Sequence, residues 1–315
     1  MVAKFAAFAA TGSGAMLSEG VHSLADVLNQ GLLALGIRQS RLPADAEHPY
    51  GYGRERFIWA LVSAVGIFFL GCGVSVYHGI MSLLHPHGIE AVDVAFAVLA
   101  LSFVIEGATL VVAVRAVRAN ARDAGVTFRH YLLHGSDPMG VAVVLEDAAA
   151  VLGVCIAAAC IGLGVLTGAP YWDAIGAILI GLLMGAVAIF LARRNRELLI
   201  GQSMEPASKA RILAVLNASP VVEEILDVKA TVVDANSVRF KAEIEFDGAV
   251  IARRFLDRTD LDEELKGLRT RADLEAFLVR FGDHVVEALG DEIDVLEDQI
   301  RAAEPAATHV DLEAN

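Results

Sequence analysis

At 315 residues, with 56% apolar residues and a mean hydropathy of +0.55, the chain is too apolar for a water-soluble domain, and its apolar residues gather in long blocks. Most of the formal charge of −14 sits in residues 205–315, which hold 25 Asp and Glu against 13 Lys and Arg, an excess that argues against nucleic acid as a partner. The composition divides the chain into a polytopic transmembrane domain, 1–204, and a water-soluble cytoplasmic domain, 205–315.

In chain order, residues Val2 to Ala10 are apolar but cover roughly 14 Å of helix, about half of the ~30 Å hydrocarbon core. They are expected to be a truncated first span whose true start lies upstream. Ala15 to Ile37 is long enough for a second span, although "MLSEGVHSLADVLNQ" places Glu19, His22, Asp26 and Asn29 within it. Phe57–Leu84, Ala91–Val114, Gly140–Leu166 and Ala174–Ala192 each exceed the roughly 20 residues a helix needs to cross. The pattern predicts six transmembrane helices.

Arginines orient the spans. Arg38, Arg41, Arg54 and Arg56 follow the second span, Arg115, Arg118, Arg122 and Arg129 follow the fourth, and Arg193, Arg194 and Arg196 follow the sixth. The opposite connections, "HPHGIEAVD" and "TGAPYWDA", contain no Lys or Arg. The positive-inside rule therefore predicts a cytoplasmic C-terminus, and even counting of spans a cytoplasmic N-terminus; with no transit peptide, a cell (inner) membrane is the expected location.

The tail alternates differently. Pro206 to Leu216 reads as a helix, "ILDVKATVVD" and "SVRFKAEIEF" as strands joined at Ala235-Asn236, Ile251 to Arg301 as helical, and "THVDLE" as a last strand. This αββαβ order predicts a small ferredoxin-like sheet with helices on one side, and a face for homodimerisation.

His22 and Asp26 lie one helical turn apart and share a face. Ionisable groups inside a bilayer cost at least ~2.5 kcal/mol each and face a partner or a water-filled path. The fifth span adds "SDPMGVAVVLEDAAAVLGV", with Asp137 expected as N-cap, Pro138 as first helical residue, and Glu146 and Asp147 about two turns further in. Adjacent residues diverge by about 100°, so one acid faces the second span. Asp147, flanked on its stripe by Val143 and Val151, is the expected one, and Glu146 is the reserve. Imidazole with carboxylates suits Zn²⁺, and the ligands must shed protons to bind it. Such a site can exchange a divalent cation for protons across the lipid bilayer, with zinc as the cargo and no cofactor.

The segments "AMLSEGVHSLADVLNQ", "HPYGYGRER" and "LEDAAAVLGV" resemble the cation diffusion facilitator family, over nearly the whole chain. "IEGATL", "DVKA" and "VRFKAEIEFDG" are most similar to its branch of mitochondrial zinc exporters. The resemblance implies proton-coupled efflux of zinc by alternating access and a metal site of a His/Asp-xxx-Asp pair on each of the second and fifth helices. His22, Asp26 and Asp147 match three positions, and Val143 occupies the fourth. It also implies a loop site of which Asp45 and His48 are present and Tyr52 replaces the last histidine, so "HPYGYGR" reads first as a structural turn. Relatives carry a histidine before the Asp of the first strand of the tail, where this chain has Leu226; only His284 and His309 remain there, and a binuclear cluster is not expected.

Glu106, near the middle of the fourth span, is a candidate for a proton path or for a buried pair. His78, His85 and His87 read as solvated tips, and Trp59 and Trp172 as members of the aromatic belt. With neither a nucleophile elbow nor an HExxH helix, the chain is not expected to be an enzyme. The alternative to transport is a membrane metal sensor or scaffold with a degenerate site.

Overall fold

A computed structural model describes residues 1–85, 91–123, 125–134, 138–234 and 237–315. They form two compact units, Met1–Ile200 and Gly201–Asn315, divided four residues before the change in composition.

The first unit is helical. α1 (Val2–Thr11) ends at Gly12, whose φ of 67° turns the chain directly into α2 (Gly14–Ser40). α3 (Glu55–Leu84), α4 (Val92–Asp123), α5 (Phe128–His134), α6 (Pro138–Thr167) and α7 (Tyr171–Ile200) follow. Among the described residues α3, α4, α6 and α7 are long and apolar enough to cross a membrane. α2 has the length, at 27 residues, but its polar side chains remove it from that class, and α1 has only 10. Leu101, Phe103, Val104, Ile105, Val111 and Val112 of α4 are exposed, as expected for a face whose solvent is lipid.

Hydropathy marks the embedded stretch and not the helix end. The apolar run of α4 stops at Val114, yet the helix continues to Asp123 and carries Arg115, Arg118 and Arg122 with it. Pro138 opens α6 as expected; Asp137 and His87 lie outside the described residues. The middle of α3, Ile67–Gly73, is wound as a π-helix, a feature that hydrophobic periodicity does not register.

Small residues bring α3 against α7. A Cβ on Gly79 would sit 2.6 Å from Ile178 Cγ1 and 2.9 Å from the Ala174 carbonyl oxygen, and one on Gly181 would meet Val76 at 2.8 Å. This close approach is what glycines at membrane-helix interfaces provide. Trp59 is more than a belt residue: its indole N–H donates to the Gln39 side chain and its Cβ packs over Gly36. Arg194, one of the arginines that follow the sixth apolar span, is 4% exposed and donates to the Leu133 carbonyl.

The second unit runs α8 (Pro206–Ala218), β1 (Val222–Asp234), β2 (Ser237–Phe246), α9 (Gly248–Arg258), α10 (Leu261–Gly267), α11 (Arg271–Ala303) and β3 (His309–Ala314). Its sheet has the order β1-β2-β3, antiparallel between the first two strands and parallel between the last two. Ala235 and Asn236 lie outside the described residues. Alternation along β2 sends Val238, Phe240, Ala242 and Ile244 to the face covered by Ile212 and Leu216 of α8 and Leu296 and Ile300 of α11. The long helical stretch is three helices because Asp247, Asp260 and Thr270 each cap a new start, the last through a capping box with Asp273.

Candidate metal site

α2 is anchored at its start. Ser13, in extended conformation, accepts from the Met16 amide at 3.2 Å, and the Asp173 carboxylate of α7 accepts from the Ser13 hydroxyl and from the amides of Gly14 and Ala15. An anion at this position satisfies otherwise orphaned amides and complements the helix dipole. His78, expected at a solvated tip, instead packs half-buried beside Gly14 and edge-on to Phe8. His85 is exposed at the end of α3, and Trp172 buries its indole nitrogen without a hydrogen bond.

Two turns into α2 stands His22, 4% exposed, with neither ring nitrogen hydrogen-bonded. Its Nε2 lies 3.4 Å from Asp26 Oδ2. The α-helical spacing brings the pair together, as its sequence separation requires.

The acids of α6 diverge. Glu146, 7% exposed, accepts a hydrogen bond from the Asn29 amide nitrogen of α2, while the Ser63 hydroxyl of α3 donates to the Asn29 oxygen. Asp147 is half-buried and faces Thr109 and Glu106 of α4 as well as Asp26. Val143, one turn before Asp147, is 36% exposed. Glu146 is therefore the acid that hydrogen-bonds α2, because Asn29 gives it a buried partner. Among the described residues no three His, Cys, Asp or Glu side chains converge closely enough to hold a metal ion. The four candidates stand as a His22–Asp26 pair on α2 and an acidic pair on α6 that is engaged elsewhere.

Glu106 is half-buried and paired. Lys4 of α1 reaches its Oε1 at 2.5 Å and Glu19 Oε2 at 2.7 Å, tying α1, α2 and α4 together. Hydropathy reads Val2–Ala10 as an apolar half-span and passes over Lys4; one ammonium inside such a run is the signal available in the sequence. It passes over Ser63 and Asp173 too, ordinary in isolation and significant only through partners distant in the chain.

The loop after α2 folds on its own polar groups. Asp45 Oδ1 accepts from the Glu47 and His48 amides at 3.0 and 2.7 Å, and Tyr52 donates to Oδ2 at 2.7 Å. The Tyr52 hydroxyl, aided by the His48 amide, holds the Asp45 carboxyl below its usual range, and the same bond pushes the Tyr52 phenol up. His48 Nδ1 is 3.6 Å from Asp45 and its ring packs on Tyr52. Both carboxylate oxygens are occupied, which favours the turn over a metal site. In the second unit His284 is exposed, 3.7 Å from Glu287, and His309 opens β3.

Residues 1–200 match the cation efflux transmembrane domain. The chain is 47% identical over 313 residues to the proton-coupled zinc antiporter SLC30A9, mitochondrial, of Xenopus laevis, covering 98% of this chain and 56% of that protein. It is 46% identical to the protein of the same name from Homo sapiens, over 98% of this chain and 55% of that one. Metal tolerance protein C4 of Arabidopsis thaliana is 43% identical over 99% of this chain and 70% of its own length. The chain thus spans just over half the length of the two vertebrate relatives. With the four apolar helices, these matches show that the chain is a multi-pass membrane protein and belongs to the cation efflux family, the cation diffusion facilitators.

Proposed function

We propose that this protein exports divalent metal cations, zinc foremost, in exchange for protons, by alternating access. The observation that carries the reading is His22: a buried imidazole with both nitrogens unengaged, 3.4 Å from Asp26, in a family of cation transporters. A histidine without a hydrogen bond in a packed interior is costly unless a ligand uses it. Two relatives are named proton-coupled zinc antiporters, which supports both the cargo and the counter-ion.

In this reading His22 and Asp26 supply two ligands and Asp147 a third. Glu146 completes the shell by leaving Asn29, a rotation that costs a buried hydrogen bond and that metal binding offsets. α1, α2, α3, α4, α6 and α7 are the six spans, with both ends of the bundle and residues 205–315 on the arginine-rich side. Two relatives are named mitochondrial, which supports an organelle membrane in place of the cell membrane expected from the sequence. The C-terminal unit, an αββαβ arrangement of ferredoxin-like type, serves homodimerisation. Asp45 and His48 act as a turn.

The test is metal flux into proteoliposomes with and without an opposing pH gradient, for the parent, Asp26→Ala and Asp147→Ala. Gradient-driven zinc uptake, lost in both variants, is expected. A folded protein that moves no metal would favour the sensor or scaffold instead.

A further inference from the structure

We propose that Lys4, Glu19 and Glu106 form a separate proton-exchange site: three side chains from three helices that together hold one dissociable proton, coupled electrostatically to the metal ligands without being among them. The inference rests on the antiport reading for its role in transport, and on geometry alone for its existence.

The geometry is a charge imbalance enclosed in the bundle. Lys4 is 3% exposed and Glu19 0%, and the Glu106 side chain retains 17%. The ammonium reaches one oxygen of each carboxylate, Glu19 Oε2 at 2.7 Å and Glu106 Oε1 at 2.5 Å. The remaining oxygens, Glu19 Oε1 and Glu106 Oε2, are buried without a hydrogen-bond partner. Two carboxylates and one ammonium leave a net charge of −1 where solvent cannot compensate it. One proton, bound to either free oxygen, brings the three groups to neutrality and supplies the missing bond. A second proton would leave the ammonium uncompensated, so the count is one. Binding forms an O–H bond and release returns H⁺ to water; nothing else is consumed.

Glu19 Oε1 has a place reserved for it on α6. A Cβ on Gly153 would overlap that oxygen, so the bare backbone there is what admits the carboxylate. The charged and titratable groups facing the three are His22 and Asp26 on α2 and Asp147 on α6, with Glu146 beyond Asp26. α1 contributes Lys4 alone. Asp173 on α7 is occupied at the start of α2, and α3 presents the neutral Ser63 towards α2.

Coupling follows from charge. Lys4 and Glu106 both act on Asp26, and Glu106 acts on Asp147. A divalent cation between Asp26 and Asp147 raises the potential at the cluster and expels the shared proton; the proton in place disfavours the cation. Linkage makes the two effects equal.

Zinc titration calorimetry of the full chain in buffers of differing ionisation enthalpy counts protons released per metal bound. Glu106→Gln and Glu19→Gln, each uncharged and nearly isosteric, are expected to release about one proton fewer than the parent while zinc affinity changes by less than about tenfold. The double variant is expected to lose no more than either single variant, because the proton is shared. An unchanged proton count in both single variants with zinc bound would overturn the proposal, and so would loss of zinc binding from folded variants, which would make these residues ligands. Infrared difference spectra across a pH titration without metal provide a second readout: the protonated-carboxyl band is expected to lose one component in each variant, and an unchanged band overturns the proposal. Because that band needs no zinc, a parent that binds none would refute the antiport reading and leave the proton site standing.

Discussion

The carboxylate of Asp173 closes the N-terminus of α2 across 159 residues of sequence, accepting from Gly14 N while Ser13 donates to its other oxygen. It fixes the helix that carries His22 and Asp26 against α7. Asp173→Ala removes a cap of about 1 kcal/mol and leaves buried amides unpaired at about 1–3 kcal/mol, so a loss of several kcal/mol is expected. Asp173→Asn keeps acceptor oxygen and is expected to recover part of it. Denaturant unfolding in micelles measures both, and an Asp173→Ala variant as stable as the parent would mean that the cap contributes nothing.

Gly79, in the α3–α7 seam, and Gly107, outside it, predict opposite outcomes. Gly79→Ala places a methyl group 2.9 Å from the Ala174 carbonyl, which a packed backbone cannot vacate, and is expected to destabilise by about 1–3 kcal/mol. Gly107 on α4 has nothing within 4 Å of where an added methyl group would sit, so Gly107→Ala is expected to be neutral or to stabilise by up to about 1 kcal/mol. Unfolding of the two variants side by side separates packing from helix propensity.

The legible part of this chain is the part written in local pattern. His22 and Asp26 stand four residues apart, and a helix brings any such pair together, so the pair is readable before the fold. The strands of the tail are readable because Val238, Phe240, Ala242 and Ile244 alternate. Lys4 is not, since its meaning lies in Glu19 and Glu106, which arrive from two other helices. Nor is the choice between Glu146 and Asp147: Val143 and Val151, four residues to either side, favour Asp147 on helix geometry, whereas the Asn29 amide engages Glu146. The π-helical turn of α3 escapes for a similar reason, because a one-residue change in hydrogen-bond register barely alters an all-apolar run.

The loop after α2 predicts a pH dependence. Asp45 has its carboxyl held below the usual range by Tyr52 and by the His48 amide, so its contribution to the turn is present above the unfolded Asp pKa and is lost as pH falls through the depressed folded value. Tyr52→Phe removes the largest of these bonds. Hydrogen-exchange protection of the His48 amide is expected to fall in this variant at neutral pH, and its difference from the parent to vanish in acid. Asp45→Asn is expected to leave zinc flux unchanged; a loss of flux equal to that of Asp26→Ala would instead place a metal ion in the loop.

Asn29 sets how readily Glu146 can leave for a metal. It uses both ends of its amide, donating to Glu146 and accepting from Ser63, so Asn29→Ala strands two buried groups and is expected to cost about 2–4 kcal/mol of stability. Ser63→Ala loosens the same amide without stranding the carboxylate and is expected to cost about 1 kcal/mol. If Glu146 completes the metal shell, weakening its tether lowers the cost of rotation, and Ser63→Ala is expected to bind zinc several-fold more tightly than the parent. The gain should disappear in Ser63→Ala combined with Glu146→Gln, because the carboxylate that would have moved no longer ligates. Zinc titration of these three proteins decides it: a Ser63→Ala affinity equal to the parent's would leave Glu146 as a packing residue and assign the remaining coordination position to water.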